Sequence, residues 1–318
     1  MTNTLFISRM LPDSVIAEAR EVAEVTVKEG ETPLSVTEAA AALHAYDAII
    51  PTLGDAFRAE AFEGGPFRAR VLANFGVGYN HIDAAAAARA GVLVTNTPGA
   101  VTDATADIAL MLMLMTCRRA GEGERLVRAG KWMGWQPTQM LGLHMSGKTL
   151  GIVGMGRIGR AIASRAHHGF GMEVVFHNRS PVPDPGVPAR QLASLAEVMA
   201  AADVVVVAVP ATPETHHLID AGALAAMKPT GHLVNIARGD VVDEAALIAA
   251  LEAGRIAGAG LDVYEFEPEV PERLRALENA VLLPHLGTAA LEVREAMGRM
   301  AVANARAVLE GRTPPNPV

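Results

Sequence analysis

Three residues able to do chemistry together stand where apolar runs of this sequence give way to polar ones: Arg238 in NIARGD, Glu267 in GLDVYEFEP and His285 in LLPHLG. Their types suit reduction of an α-keto acid. A guanidinium holds a carboxylate bidentately, an imidazolium protonates the alkoxide that develops during hydride transfer, and a carboxylate orients the imidazole and favours its charged form. Each also has a plainer reading. Arg238 has Asp240 and Asp243 nearby as partners, His285 can bond within its own loop, and Glu267 is one charge among several in EFEPEVPE. Position favours the chemical reading, because all three follow predicted strands, and open α/β sheets bind ligands at the carboxyl ends of their strands.

The same edge carries GIVGMGRIG, in which Gly154, Gly156 and Gly159 follow an apolar run and precede the helical pattern AIASRAHH. In a dinucleotide-binding turn the first glycine allows the tight bend, the second lets the backbone approach a pyrophosphate, and the third lets helix and strand pack closely. The helix N-terminus adds free N–H groups and partial positive charge for the phosphates. A second glycine group, GVGYNHID from Gly76, does not complete the six-residue fingerprint.

About twenty residues beyond this turn, where an acid ordinarily receives the adenosine ribose, the sequence reads FHNRS. Asn178 removes the charge that would repel a 2′-phosphate, while Arg179 and Ser180 offer a charged fork and a hydroxyl. The expectation is NADP(H) in preference to NAD(H). The alternative is that Arg179 is a solvated surface charge and NAD is held through other contacts.

The elements that must position these residues are legible as short β-branched runs alternating with Ala-rich helical segments, the pattern of parallel α/β architecture. Strands are expected at 5–8, 25–27, 48–50, 71–74 and 92–95, and after NTPG at 149–153, 173–176, 204–209, 232–236, 258–262 and 281–283. The later six predict one doubly wound sheet. A long helix is expected to start near Thr102 and Asp103 and run through IALMLMLM. Val293, Met297, Met300, Ala301, Ala305 and Val308 mark another, stopped at Gly311, which we expect to return to the N-terminal block. That gives a discontinuous substrate domain of residues 1–98 with 287–318 and a dinucleotide-binding domain of residues 99–286, and PPNPV forms a short polar end.

The chain's 318 residues carry 27 Lys and Arg against 35 Asp and Glu, for a net charge of −8, with no basic run suited to nucleic acid. The apolar runs fall short of the roughly 18 residues a membrane-spanning helix requires. MTNTLFISRM reads as a first strand and not as a leader, so a soluble, cytoplasmic protein is expected. The single cysteine, Cys117, has no disulfide or metal partner and is expected to be an inert core thiol.

GIVGMGRIGRAIA, VPATPETHHLI, LVNIARGDVVDEAALIAAL, GAGLDVYEFEP and LLPHLGTA, with NFGVGYNHID and NTPGAVTDATADIAL, together resemble the successive signatures of the D-isomer-specific 2-hydroxyacid dehydrogenases over nearly the whole chain. FGVGYNHID, WMGWQP and LDVYEFEP resemble the glyoxylate/hydroxypyruvate reductase branch most. The resemblance implies two Rossmann-like and flavodoxin-like domains, an active site in the cleft between them, and a homodimer. It makes Arg238, Glu267 and His285 the catalytic trio, with Val77 and Gly78 offering N–H groups to a substrate carboxylate. Leu53 and Trp135 become candidates for the pocket wall, Trp135 reaching the neighbouring subunit, although Trp132 and Trp135 equally suit interface packing alone. Cofactor contacts are assigned to Thr105, to Arg157 and Ile158 in the glycine turn, to Pro210 and Thr215, and to Ala237, Asp262, His285 and Gly287. Glyoxylate or hydroxypyruvate would be the substrate. The related phosphite dehydrogenases carry a Lys in the first-domain glycine loop that NFGVGYNHID lacks. Phosphoglycerate dehydrogenases often bear a further regulatory domain, whereas this chain ends at its predicted last helix. Corepressors of this fold remain the non-enzyme alternative.

Overall fold

Runs such as Val204–Val207 have β-branched side chains on both faces, so they can only be buried on both sides, as in a parallel sheet covered by helices. The computed structural model describes residues 2–318 and contains two such sheets, in which every pairing of named strands is parallel. Met1–Val101 with Thr288–Val318 forms one unit, and Thr102–Gly287 the other.

In the first unit, β1 (Thr4–Ile7), β2 (Glu24–Val27), β3 (Ala48–Ile50), β4 (Val71–Ala73) and β5 (Leu93–Thr95) lie in the order β2-β1-β3-β4-β5. This is the flavodoxin-like order, with its switch point between β1 and β3. There the Ser8 and Thr52 hydroxyls meet at 3.1 Å, just before Leu53. The helix Leu291–Leu309 packs on β3, β4 and the helix Asp13–Arg20. Gly298 permits the approach, since a Cβ there would lie 2.5 Å from a methyl of Val15. The chain end is also ordered: Pro317 bridges Thr95, and Val318 N donates to Val94 O at 3.1 Å.

The second unit holds β6 (Thr149–Val153), β7 (Glu173–His177), β8 (Ala189–Gln191), β9 (Val204–Val207), β10 (His232–Asn235), β11 (Gly258–Leu261) and β12 (Ala280–Leu282). Their order is β12-β11-β10-β9-β6-β7-β8. The six-strand reading is therefore one short. β8 escaped it because ARQ is a half-exposed edge strand without an apolar face. The direction in which successive strands are added reverses between β6 and β9, so the turns after those two parallel strands flank the switch point.

β11 reads GAGL, a poor strand by propensity alone. Tertiary packing overrides propensity here. A Cβ at Gly260 would stand 3.0 Å from that of Leu112, so the bare strand lets the helix Thr102–Cys117 lie against the sheet and aims Asp262 out of its end. Cys117, at the end of that helix, is fully buried, and burial, helped by the Asp203 charge, pushes its thiol up to about 12. Among the described residues, no helix is long and apolar enough to cross a membrane.

Candidate active site

The site is built from the turns that follow β6, β7, β9, β10, β11 and β12. After β6, Gly154 takes φ +100°, where an L side chain is strained, and a Cβ would lie 2.8 Å from Ala208 O. Gly159 sits over the same turn, its Cβ position only 2.2 Å from Gly154 O, so the helix Arg157–Phe170 starts directly against the strand end. Gly156 caps that helix and has nothing within 4 Å of its Cβ position. The open backbone with uncapped helical N–H groups fits a dinucleotide pyrophosphate. Arg157 and Ile158 form the first helical turn.

The turn after β7 is held by amide side chains. Asn178 Oδ1 accepts from Met155 N at 3.3 Å, and its Nδ2 donates to Ser180 O at 2.9 Å. Gln191 of β8 donates to both Asn178 O and Ser180 O, at 3.2 and 3.1 Å. This leaves Arg179 and Ser180 exposed at the rim. In the loop after β9, the Glu214 carboxyl lies below the usual carboxylate range, chiefly through a hydrogen bond from Thr212 and also through the Arg179 charge. In that loop Thr215 Oγ1 donates to Pro210 O at 2.7 Å and accepts from Thr212 N at 2.8 Å. Thr215 therefore closes the loop on Pro210.

Arg238 follows β10, and its backbone is set by Asn235. That side chain accepts from Ala237 N at 3.0 Å and donates to Arg238 O at 2.9 Å. Arg238 Nη1 donates to Ala237 O at 2.7 Å, while Nε is buried without a hydrogen-bond partner among the described residues. Burial pushes the guanidinium down from its ordinary value, against the charges of Glu267 and Asp240. A desolvated guanidinium with an unused N–H is prepared for an anionic ligand.

Glu267 and His285 meet as one unit. His285 Nδ1 lies 2.9 Å from Glu267 Oε2, and Glu267 Oε1 accepts from Tyr264 N at 3.0 Å. Burial raises the Glu267 carboxyl, but the His285 hydrogen bond and charge, the Tyr264 amide and the Arg238 charge outweigh it and hold the group below its ordinary range. With Nδ1 engaged, Nε2 is the nitrogen left for a ligand. The two side chains keep 29% and 30% exposure, which leaves that access open. His285 itself adopts φ +54°, a conformation sustained by the turn around it. Asp262, only 1% exposed, fixes this turn: its carbonyl accepts from His285 N, and its carboxylate from Leu286 N and Gly287 N at 2.6 and 2.8 Å. Burial pushes the Asp262 carboxyl up, against those two amides. Thr105 Oγ1 donates to Gly287 O at 3.2 Å, joining the long helix to the same turn.

The structure thus brings together Arg238, Glu267 and His285, with Ala237, Asp262, Thr105 and Gly287 around them. Leu53, Val77 and Gly78 belong to the first unit. There Asn74 Nδ2 donates to Gly76 O and Gly78 O, and Asn96 Nδ2 to Val77 O. Those bonds turn the loop's carbonyls inward, while the Val77 and Gly78 N–H groups donate no hydrogen bond among the described residues. Trp135 is 81% exposed. Sequence reading missed Asn235 and Gln191 as positioning side chains. A polar residue closing the predicted strand that begins HLVN was the available signal for Asn235; Gln191 gave none.

Residues 110–287 match the family model described as D-isomer specific 2-hydroxyacid dehydrogenase, NAD binding domain. A glyoxylate reductase from Thermococcus onnurineus is 43% identical over 320 residues, spanning 99% of this chain and 95% of the relative. The TT0316 protein from Thermus thermophilus superimposes with a TM-score of 0.92 at 45% identity, over 99% of both chains. An NADPH-dependent glyoxylate/hydroxypyruvate reductase from Sinorhizobium meliloti, solved with NADP and malonate, gives a TM-score of 0.88 at 35% identity, over 100% of this chain and 97% of that one. The chain belongs to the D-isomer-specific 2-hydroxyacid dehydrogenase family, in its glyoxylate reductase branch, and is an NAD(P)-dependent oxidoreductase of that type.

Proposed function

We propose that this protein is an NADPH-preferring reductase that converts glyoxylate to glycolate, hydroxypyruvate to D-glycerate, or both. The observation that carries the reading is the His285–Glu267 pair at 2.9 Å beside a buried guanidinium with an unused N–H. Arg238 holds the substrate carboxylate and its keto oxygen, with the Val77 and Gly78 amides as further donors. His285, oriented through Nδ1 by Glu267, gives its Nε2 proton to the keto oxygen as that oxygen gains negative charge, and is reprotonated from solvent. NADPH, when bound by the Gly154–Gly159 turn, supplies the hydride. Leu53 and Trp135 limit the size of the substrate side chain.

Preference for NADPH is supported by the exposed Arg179 and Ser180 on a turn that has an amide in place of an acid. Steady-state oxidation of NADPH and NADH with each substrate tests the proposal. NADPH is expected to be used better, and Arg179→Ala to raise its KM by about 10–100-fold, the loss of one charge-assisted bond, while sparing NADH. Activity with NADH alone, or an unchanged NADPH KM in the variant, overturns the cofactor reading. Silence with every pair overturns the reductase reading.

The segment after the helix Ala120–Arg128 exposes Trp132 (54%), Met133 (87%), Trp135 (81%) and Leu141 (68%). Large apolar anchors of this kind support a homodimer built through this arm. Sedimentation should give about twice the chain mass, and Trp132→Glu with Trp135→Glu should shift it toward one chain; a wild-type monomer refutes the dimer.

A further inference from the structure

His216 and His217 are consecutive, and consecutive side chains of an extended segment point to opposite sides. Here they do not. His217 adopts φ +49°, and the two rings stack with centroids 4.0 Å apart and planes 26° apart. A non-glycine residue in the left-handed region is uncommon and is kept only where its surroundings hold it. His217 N donates to Asp240 O at 2.8 Å, and His217 Nε2 lies 2.9 Å from Glu265 Oε1. One ligand atom from each of His216, His217 and Glu265 falls within 4.8 Å of the other two. Glu265 is held in turn by Glu244, each backbone N–H reaching the other's carboxylate at 3.4 Å. None of these side chains has a part in the proposed reduction.

We propose that His216, His217 and Glu265 form a binding site for a divalent transition-metal ion of the zinc class. Two imidazoles and a carboxylate are the donor set such ions take, with a fourth position left to water. Zinc–nitrogen and zinc–oxygen bonds of about 2.0–2.2 Å in a tetrahedron set ligand atoms roughly 3.3 Å apart. The His217–Glu265 pair opens slightly from 2.9 Å to admit the ion, and exposed His216 closes onto it by side-chain rotation. The site shares a loop with Glu267, two residues beyond Glu265, so an ion held there also pins the segment that carries the His285 partner.

Calorimetric titration of the tag-free, full-length protein with Zn2+ alone tests this. The wild type should bind one saturable equivalent, His216→Ala should weaken it at least about 10-fold, and Glu265→Gln should do likewise, since loss of even an outer-sphere partner costs that much. His285→Ala should keep the equivalent. Because His216 is exposed, its variant is expected to fold and to retain metal-free turnover. No saturable binding in the wild type overturns the site, as does wild-type affinity retained in both ligand variants. An equivalent lost in His285→Ala but kept in His216→Ala would place the ion on the His285–Glu267 pair and overturn it too.

Discussion

Replacing His285 by Ala should lower kcat by about 10²–10⁴-fold, the range lost with a general acid, while NADPH affinity, followed by nucleotide fluorescence, stays within a few-fold of wild type. The selectivity follows from the geometry. His285 touches Glu267 through its side chain, whereas its backbone N–H to Asp262 O, which orders the turn, survives the substitution. Ala at φ +54° brings a modest strain of its own. His285→Asn separates the two effects, because Asn tolerates the left-handed region and cannot serve as the acid. Matching losses of turnover in both variants assign the defect to proton donation. An equal fall of turnover and NADPH binding would refute the assignment.

Gly239→Ala should be the most damaging single methyl in the site. The added carbon would stand 1.8 Å from Tyr264 C, 1.9 Å from Tyr264 O and 2.3 Å from Glu265 N, all backbone atoms. No side-chain rotation relieves such a contact, so the loop must move. That loop presents Tyr264 N to Glu267, and the Tyr264 hydroxyl is anchored on Leu283 O at 2.9 Å, next to the His285 turn. A displacement of about 1 Å there should lower kcat/KM by about 10²-fold. Overpacking should also destabilise the second unit by about 1–3 kcal/mol, a fall in Tm of roughly 2–12 °C for a unit of this size. Thermal melting read beside the assay checks both. A variant with wild-type Tm and wild-type kcat/KM would show that the loop yields freely.

What could be read in advance divides along physical lines. A central strand such as β9 announced itself because burial on both faces demands an unbroken apolar run. Gly154 and Gly159 were legible because a positive φ and a close helix–strand contact admit little else. Arg238, Glu267 and His285 stood out as ionisable residues in the turns that follow strands. β8 and Gln191 did not, since an exposed edge of three residues has no periodicity and the amide acts on a turn eleven to thirteen residues away. The left-handed turn at His217 was equally silent, because its bonds to Asp240 and Glu265 are long-range. Gly239 was visible as a glycine in NIARGD, but the backbone it must clear comes from a different part of the chain.

The helix Leu291–Leu309 packs on β3, β4 and Asp13–Arg20, and residues 316–318 bond back to β5 and its neighbour Asn96. On a ribosome this imposes an order of assembly. The second unit is one uninterrupted stretch and has every strand of its sheet once residue 287 has emerged. The first unit, although its strands are made earlier, waits for its closing helix through the synthesis of roughly 200 further residues, or roughly 10–40 s at ordinary elongation rates. For that interval the apolar side of β3 and β4 lacks its cover, which makes the nascent N-terminal segment the part of this chain with most need of a chaperone.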